Sequence, residues 1–216
     1  MAFGIPSTNP SFPSSLEVLQ TKSKAGLQMS VGGVMYMQYA ASAALVNSVV
    51  ETSILNSSVT TAQGSLVIPA GALAWGSALN LVNAPGCLLR VKLFGNVTIT
   101  STPTLRIRVG MVNAAGTFLP LTDSTALTAA AVTGGLFELY SDIAVSSYGS
   151  AGIIAAGGNF MQSVTAISFQ RFILPYTATS AFDTTVPYTL DVRATWGTAA
   201  AGNSLTVVGG YVEMIN

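Results

Sequence analysis

Between residues 183 and 212 the chain alternates with a period of two, and this pattern limits its fold more than any other feature. Leu190, Val192, Ala194 and Trp196 fall on one side, and Asp191, Arg193 and Thr195 on the other. That is the period of a half-buried strand, not of a helix face. Pro187 stands near the start of the run, one of the few places a sheet accepts proline. Residues 197–203 form a small-residue turn. A second run follows with Leu205 and Val207, then Val212 and Met214 after a Gly209-Gly210 break that marks a bulge. Two such runs around a short loop predict a hairpin. A lone hairpin is not stable in water, so its apolar face must close against the rest of the chain.

The remainder offers more strands of the same kind. Leu89, Val91 and Leu93 alternate with Arg90 and Lys92, and Leu105, Ile107, Val109 and Met111 alternate with Arg106 and Arg108. A short turn at 101–104 separates these runs, which predicts a second hairpin with all four basic residues on its outer face. In the run 136–145, Phe137, Leu139, Ile143 and Val145 oppose Glu138, Tyr140 and Asp142. Further strands are read at 46–55, 65–68, 152–163 and 166–174, with a short edge piece at 117–121. The segment 69–76 reads as a corner. Regular turn signals and the lack of any long helical pattern predict an all-β fold, a jelly-roll or β-sandwich, over residues 45–216.

Residues 1–44 differ. Pro6, Pro10 and Pro13 sit among Ser, Thr and Asn, so the start reads as extended or irregular. The segment containing Met29, Val34, Met35, Tyr36, Met37 and Tyr39 is rich in Met and Tyr, side chains that adapt to irregular apolar surfaces and are frequent at interfaces. We read it as an arm that leaves the domain and packs on a neighbouring subunit; the alternative is a first strand of the same core.

Composition narrows the function. Charged residues make up 7% of the 216, against about 25% in a typical domain, and the formal net charge is zero. So few charges predict a surface largely covered by other protein. Without a basic excess, nucleic-acid binding by the phosphate route is not expected. There is no His, which excludes Ser–His and Cys–His pairs and His metal ligands. Cys87 is the only cysteine, so neither an intrachain disulfide nor a thiolate zinc site is expected; it reads as a buried small hydrophobe. No cofactor is implied. The uncharged runs 25–50 and 143–170 are broken by Gly, Ser and Gln, so no membrane span is expected. No secretory signal is seen at the start, and the sequons at Asn56 and Asn96 are read as chance matches.

Glu138 and Asp142 do not suit a glycosidase, because four strand residues span about 13 Å, beyond the separation such carboxylates need. With Arg90, Lys92, Arg106 and Arg108 they read either as ordinary solvated faces or as a subunit interface, where the basic stripe of one copy meets the acidic pair of the next. Trp75 and Trp196 read as core, not as ligand platforms. No catalytic residue is found, and the chain is not expected to be an enzyme.

Three segments together carry a resemblance. The first is Gly86-Cys-Leu-Leu-Arg-Val-Lys-Leu-Phe-Gly-Asn-Val-Thr-Ile-Thr with Thr102-Pro-Thr-Leu-Arg-Ile-Arg-Val-Gly. The second is Phe137-Glu-Leu-Tyr-Ser-Asp-Ile-Ala-Val with Gly149-Ser-Ala-Gly. The third, the most specific, is Asp183-Thr-Thr-Val-Pro-Tyr-Thr-Leu-Asp-Val-Arg-Ala-Thr-Trp-Gly-Thr-Ala. Together they resemble the jelly-roll structural proteins of tailed bacteriophages, which occur as head decoration (cement) proteins and as tail-fibre or spike modules. The resemblance covers residues 45–216 and implies a homotrimer without a catalytic centre. It implies a virion protein on the capsid surface, made in the bacterial host cytoplasm, with the major capsid protein as partner. The alternative within the same family is a host-receptor-binding module of a tail fibre. A shell-forming coat protein is a third option.

Overall fold

A computed structural model describes residues 20–22, 28–30, 33–56, 62–74, 87–100, 103–165 and 168–215. The elements run β1 (Gln20–Lys22), β2 (Gln28–Ser30), β3 (Gly33–Gln38), β4 (Leu45–Val46), β5 (Thr52–Ser53), β6 (Ala62–Gly64) and β7 (Val67–Ile68), then a 3-10 turn at Ala72–Ala74. Nine more strands follow: β8 (Leu88–Ile99), β9 (Thr104–Val112), β10 (Phe118–Asp123), β11 (Leu127–Thr128), β12 (Val132–Ser147), β13 (Gly152–Ser163), β14 (Phe169–Phe182), β15 (Tyr188–Trp196) and β16 (Ser204–Ile215). The fold is all-β, with antiparallel pairing throughout. A large sheet has the order β14-β13-β12-β8-β16-β3-β6, and β4 also pairs with β16. A smaller sheet has the order β10-β9-β15-β5, joined by β7 and β11.

The alternating rows explain why two sheets form. Leu89, Val91 and Leu93 on β8, Phe137 and Leu139 on β12, and Val207 and Val212 on β16 point inward from the large sheet. Ile107, Val109 and Met111 on β9, with Leu190, Val192 and Trp196 on β15, meet them from the smaller one. All belong to one continuous buried cluster. An aromatic ladder crosses the inner face of the large sheet, with Phe137 and Phe160 rings 5.6 Å apart and Phe160 and Phe172 6.2 Å apart. Cys87 and Trp196 are both buried, as the sequence predicts, while Trp75 lies outside the described residues.

Neither predicted hairpin is a hairpin. β8 pairs with β12 and β16, whereas β9 pairs with β10, β11 and β15. Likewise β15 lies in the smaller sheet and β16 in the large one. Both connections are corners that cross from sheet to sheet, so β8–β16 and β9–β15 form one paired ribbon folded over the core. The corners are tied together. Asn203 Oδ1 accepts from the Thr100 amide at 3.0 Å, and the Gly197 amide donates to the Thr104 carbonyl at 2.7 Å. The predicted bulge is present, with the β16–β8 register shifting between Val207 and Gly209.

The boundary expected at residue 44 also moves. β3 lies between β16 and β6 inside the large sheet, with Tyr36 and Gln38 buried. Tyr36 Oη donates to Gln38 Oε1 at 3.0 Å and to the Asn56 carbonyl at 2.7 Å. Gln38 Nε2 donates to the Val207 carbonyl at 3.0 Å. Residues 33–38 are therefore a strand of the domain, not part of an arm.

Candidate interaction surfaces

The six charged residues singled out in the sequence divide between two opposite surfaces. Arg90 and Lys92 on β8 and Glu138 and Asp142 on β12 share the outer face of the large sheet. Arg106 and Arg108 on β9 face outward from the smaller sheet, because the chain passes from one sheet to the other between β8 and β9. Arg90 and Asp142 are direct cross-strand partners. Arg90 Nε donates to Asp142 Oδ1 at 3.0 Å, and its Nη1 donates to Glu213 Oε1 at 3.3 Å. Tyr140 Oη donates to Asp142 Oδ2 at 2.7 Å. The bond to Asp142 raises the Arg90 pKa, and burial followed by the Asp142 bond raises that of Tyr140. Arg90 and Asp142 thus meet each other within one chain.

The outer face of the smaller sheet is a closed ionic network. Arg108 and Arg193 stand directly opposite each other on β9 and β15, a like-charge pairing that is unfavourable by itself. Three groups relieve it. Arg108 is bonded to Glu51, and Arg193 Nε donates to Asp191 Oδ2 at 2.7 Å. The Phe118 ring lies 4.3 Å from the Arg193 guanidinium carbon and 5.4 Å from that of Arg108. Ser53 Oγ donates to Asp191 Oδ1 at 2.6 Å, which pins β5 to the sheet. Arg106 is bonded to Asp123, and this contact holds the Asp123 carboxyl below its ordinary value. Sequence reading missed Phe118 and Glu51 here, because Phe118 lies on the short β10 and Glu51 beside the short β5, and their partners are distant in the chain. Phe118→Ala is expected to destabilise the fold by about 1–2 kcal/mol through the loss of two cation–π contacts. Chemical denaturation checks this.

The outer face of the large sheet is different. One row runs Gln63–Met37–Tyr211–Lys92–Tyr140–Asn159–Ile173 across seven strands. The next runs Gly209–Phe94–Glu138–Met161–Arg171. A solvated antiparallel face is normally polar, yet here Val34, Met37, Phe94, Leu136, Phe169 and Ile173 are exposed. Gly209 makes room for Phe94: a Cβ there would stand 2.6 Å from its ring. A groove of about 250 Å³ lies beside that ring, lined by Asn96, Leu136, Glu138 and Val208. Of the apolar residues expected in an arm, Val34, Met37 and Tyr39 are exposed, Met35 packs partly against the core and Tyr36 is buried. Met29 belongs to β2, opposite Thr21 on β1.

Among the described residues no group of three or more His, Cys, Asp or Glu is placed to hold a metal ion. No helix among them is long and apolar enough to cross a membrane. Fold and surfaces together define an all-β protein with two main sheets, one with a closed ionic outer face and one whose outer face exposes large apolar side chains among its charges. No protein-family model matches the chain, and no curated protein matches it in sequence.

Proposed function

We propose that this chain is a virion structural protein of a tailed bacteriophage, a decoration (cement) protein that trimerises on the head and stabilises it. The observation that carries the reading is the exposed apolar surface of Val34, Met37 and Tyr39, placed where the chain enters the domain. Large apolar side chains exposed close together along one segment suit contact with other protein. The charge pattern agrees: nearly all the arginines are paired within the chain, so attachment falls to apolar contacts. In this reading the chain preceding β3, together with the exposed side of β3, engages the major capsid protein. A protein that binds only the assembled lattice stabilises it by mass action. The chemistry is structural, with no catalytic step, cofactor or nucleic acid. The folded β8–β9 and β15–β16 ribbon supports a jelly-roll path, since rolling a paired ribbon over a core is how such a sandwich is made.

A chain beginning at residue 33 keeps β3 and the sheet, and it tests the arm. It is expected to bind heads at least about tenfold more weakly than the full chain. Undiminished binding would overturn the role of the arm.

One observation favours the tail-fibre reading instead. The groove beside Phe94 combines an aromatic ring with the Asn96 amide and the Glu138 carboxylate, groups that suit a sugar. A glycan array separates the two readings. Specific binding that Phe94→Ala abolishes favours a receptor-binding module, and binding to heads alone favours cement.

A further inference from the structure

We infer that the outer face of β12, β13 and β14 is a self-complementary surface on which a second copy of this chain docks by a two-fold axis. Three rows of side chains carry the inference. In the central row, Glu138 on β12 and Arg171 on β14 flank Met161 on β13. In the next, Tyr140 and Ile173 flank Asn159. On the other side, Leu136 lies two residues from Glu138, and Phe169 lies two residues from Arg171. Glu138 and Arg171 are exposed and have no ion-pair partner among the described residues, whereas the acidic and basic groups at Arg90, Arg106, Arg108 and Arg193 are all paired.

A two-fold axis along β13 places the β14 strand of one copy over the β12 strand of the other, with strand directions aligned. Sheets pack face to face in this way, about 10 Å apart. Each Glu138 then faces the Arg171 of the second copy, and the contact occurs twice, as isologous symmetry requires. Met161 meets its own copy on the axis. Apolar groups meet apolar groups: Tyr140 faces Ile173, and Leu136 faces Phe169. Ile173 is 67% exposed and Phe169 and Leu136 are each 59% exposed, so the pairing covers three large, exposed apolar side chains. This relation pairs Glu138 with Arg171 at both ends of the contact and keeps apolar against apolar. The inference does not rest on the virion reading. A two-fold contact added to the expected three-fold one gives six copies, and alone it gives two.

Charge reversal with sedimentation analysis of the full chain tests this. Wild type is expected to sediment as an even multiple of its 22.1 kDa chain. Glu138→Arg and Arg171→Glu each place like charges in contact at both ends of the interface, so each is expected to weaken association about a hundredfold. An equimolar mixture of the two single variants restores both pairs and is expected to reassociate as a heterodimer, as is the double variant E138R/R171E as a homodimer. Both positions are exposed, and unchanged circular dichroism and melting show that the variants fold. A wild-type monomer, an odd oligomer indifferent to both reversals, or single variants that stay apart when mixed would each overturn the proposal.

Discussion

Trp196→Ala lowers the unfolding free energy by about 3–5 kcal/mol, the largest single-residue loss expected in this chain. The indole is 1% exposed and ends β15, where the smaller sheet closes on the core. Its Nε1 donates to the Leu45 carbonyl at 3.3 Å, so the ring also ties β4 down beside β16. Truncation opens a cavity and leaves that carbonyl without its partner. Trp196→Phe keeps most of the volume and is expected to cost less, with the lost hydrogen bond contributing about 1 kcal/mol. Denaturant titration of both variants measures the difference. A loss below about 1 kcal/mol for the alanine variant would show that the sandwich does not close on this residue.

The second large effect is alkaline. Burial pushes the Cys87 thiol from 9.0 up to about 12, and burial likewise raises Tyr36 and Tyr188. A raised folded value means that the folded chain holds its proton more tightly than the unfolded one. The stabilisation is complete below pH 9 and is lost as pH climbs toward 12. For Cys87 alone the linkage is on the order of 4 kcal/mol, a large share of the stability of an ordinary domain. Unfolding free energy is therefore expected to fall steeply across this range. Cys87→Ala removes the thiol and is expected to flatten the fall, leaving the shallower slope from the tyrosines. An unchanged slope would mean that the thiolate forms without opening the core.

The elements of this fold were legible, but their partners were not. Alternation at 88–99, 104–112, 136–145, 188–196 and 204–215 reports which side of each strand is buried, because burial acts on single side chains. Leu190, Val192, Ala194 and Trp196 are buried as the pattern requires. Pairing is a long-range property, and two apolar runs around a short loop read the same whether the loop makes a hairpin or a corner. One local signal was available: the turn Ser101-Thr102-Pro103-Thr104 lacks the Gly or Asn that tight hairpin turns need for positive φ. β3 was misread as arm because Met29–Tyr39 is rich in Met and Tyr, a composition that serves a core strand as well as an interface. On the surfaces, the acidic and basic positions were legible as outward-facing. That Arg90 meets Asp142, and that Arg108 and Arg193 share Phe118, depends on register between strands far apart in sequence. The apolar outer face was hidden for the same reason. Met37, Tyr211, Tyr140 and Ile173 form a row only once seven strands are aligned.

The proposed role joins these features. A neutral, charge-poor sandwich closes one outer face with its own ion pairs and leaves large apolar side chains exposed on the other, as expected of a protein completed by neighbours on a lattice. A reconstruction of the purified particle that carries this chain tests the role most directly. The account predicts two-sheet density repeated in groups of three over the outer surface of the head, with β3 and the preceding residues against the coat subunits. Density confined to the tail, or a head whose outer surface lacks the sandwich, would contradict it.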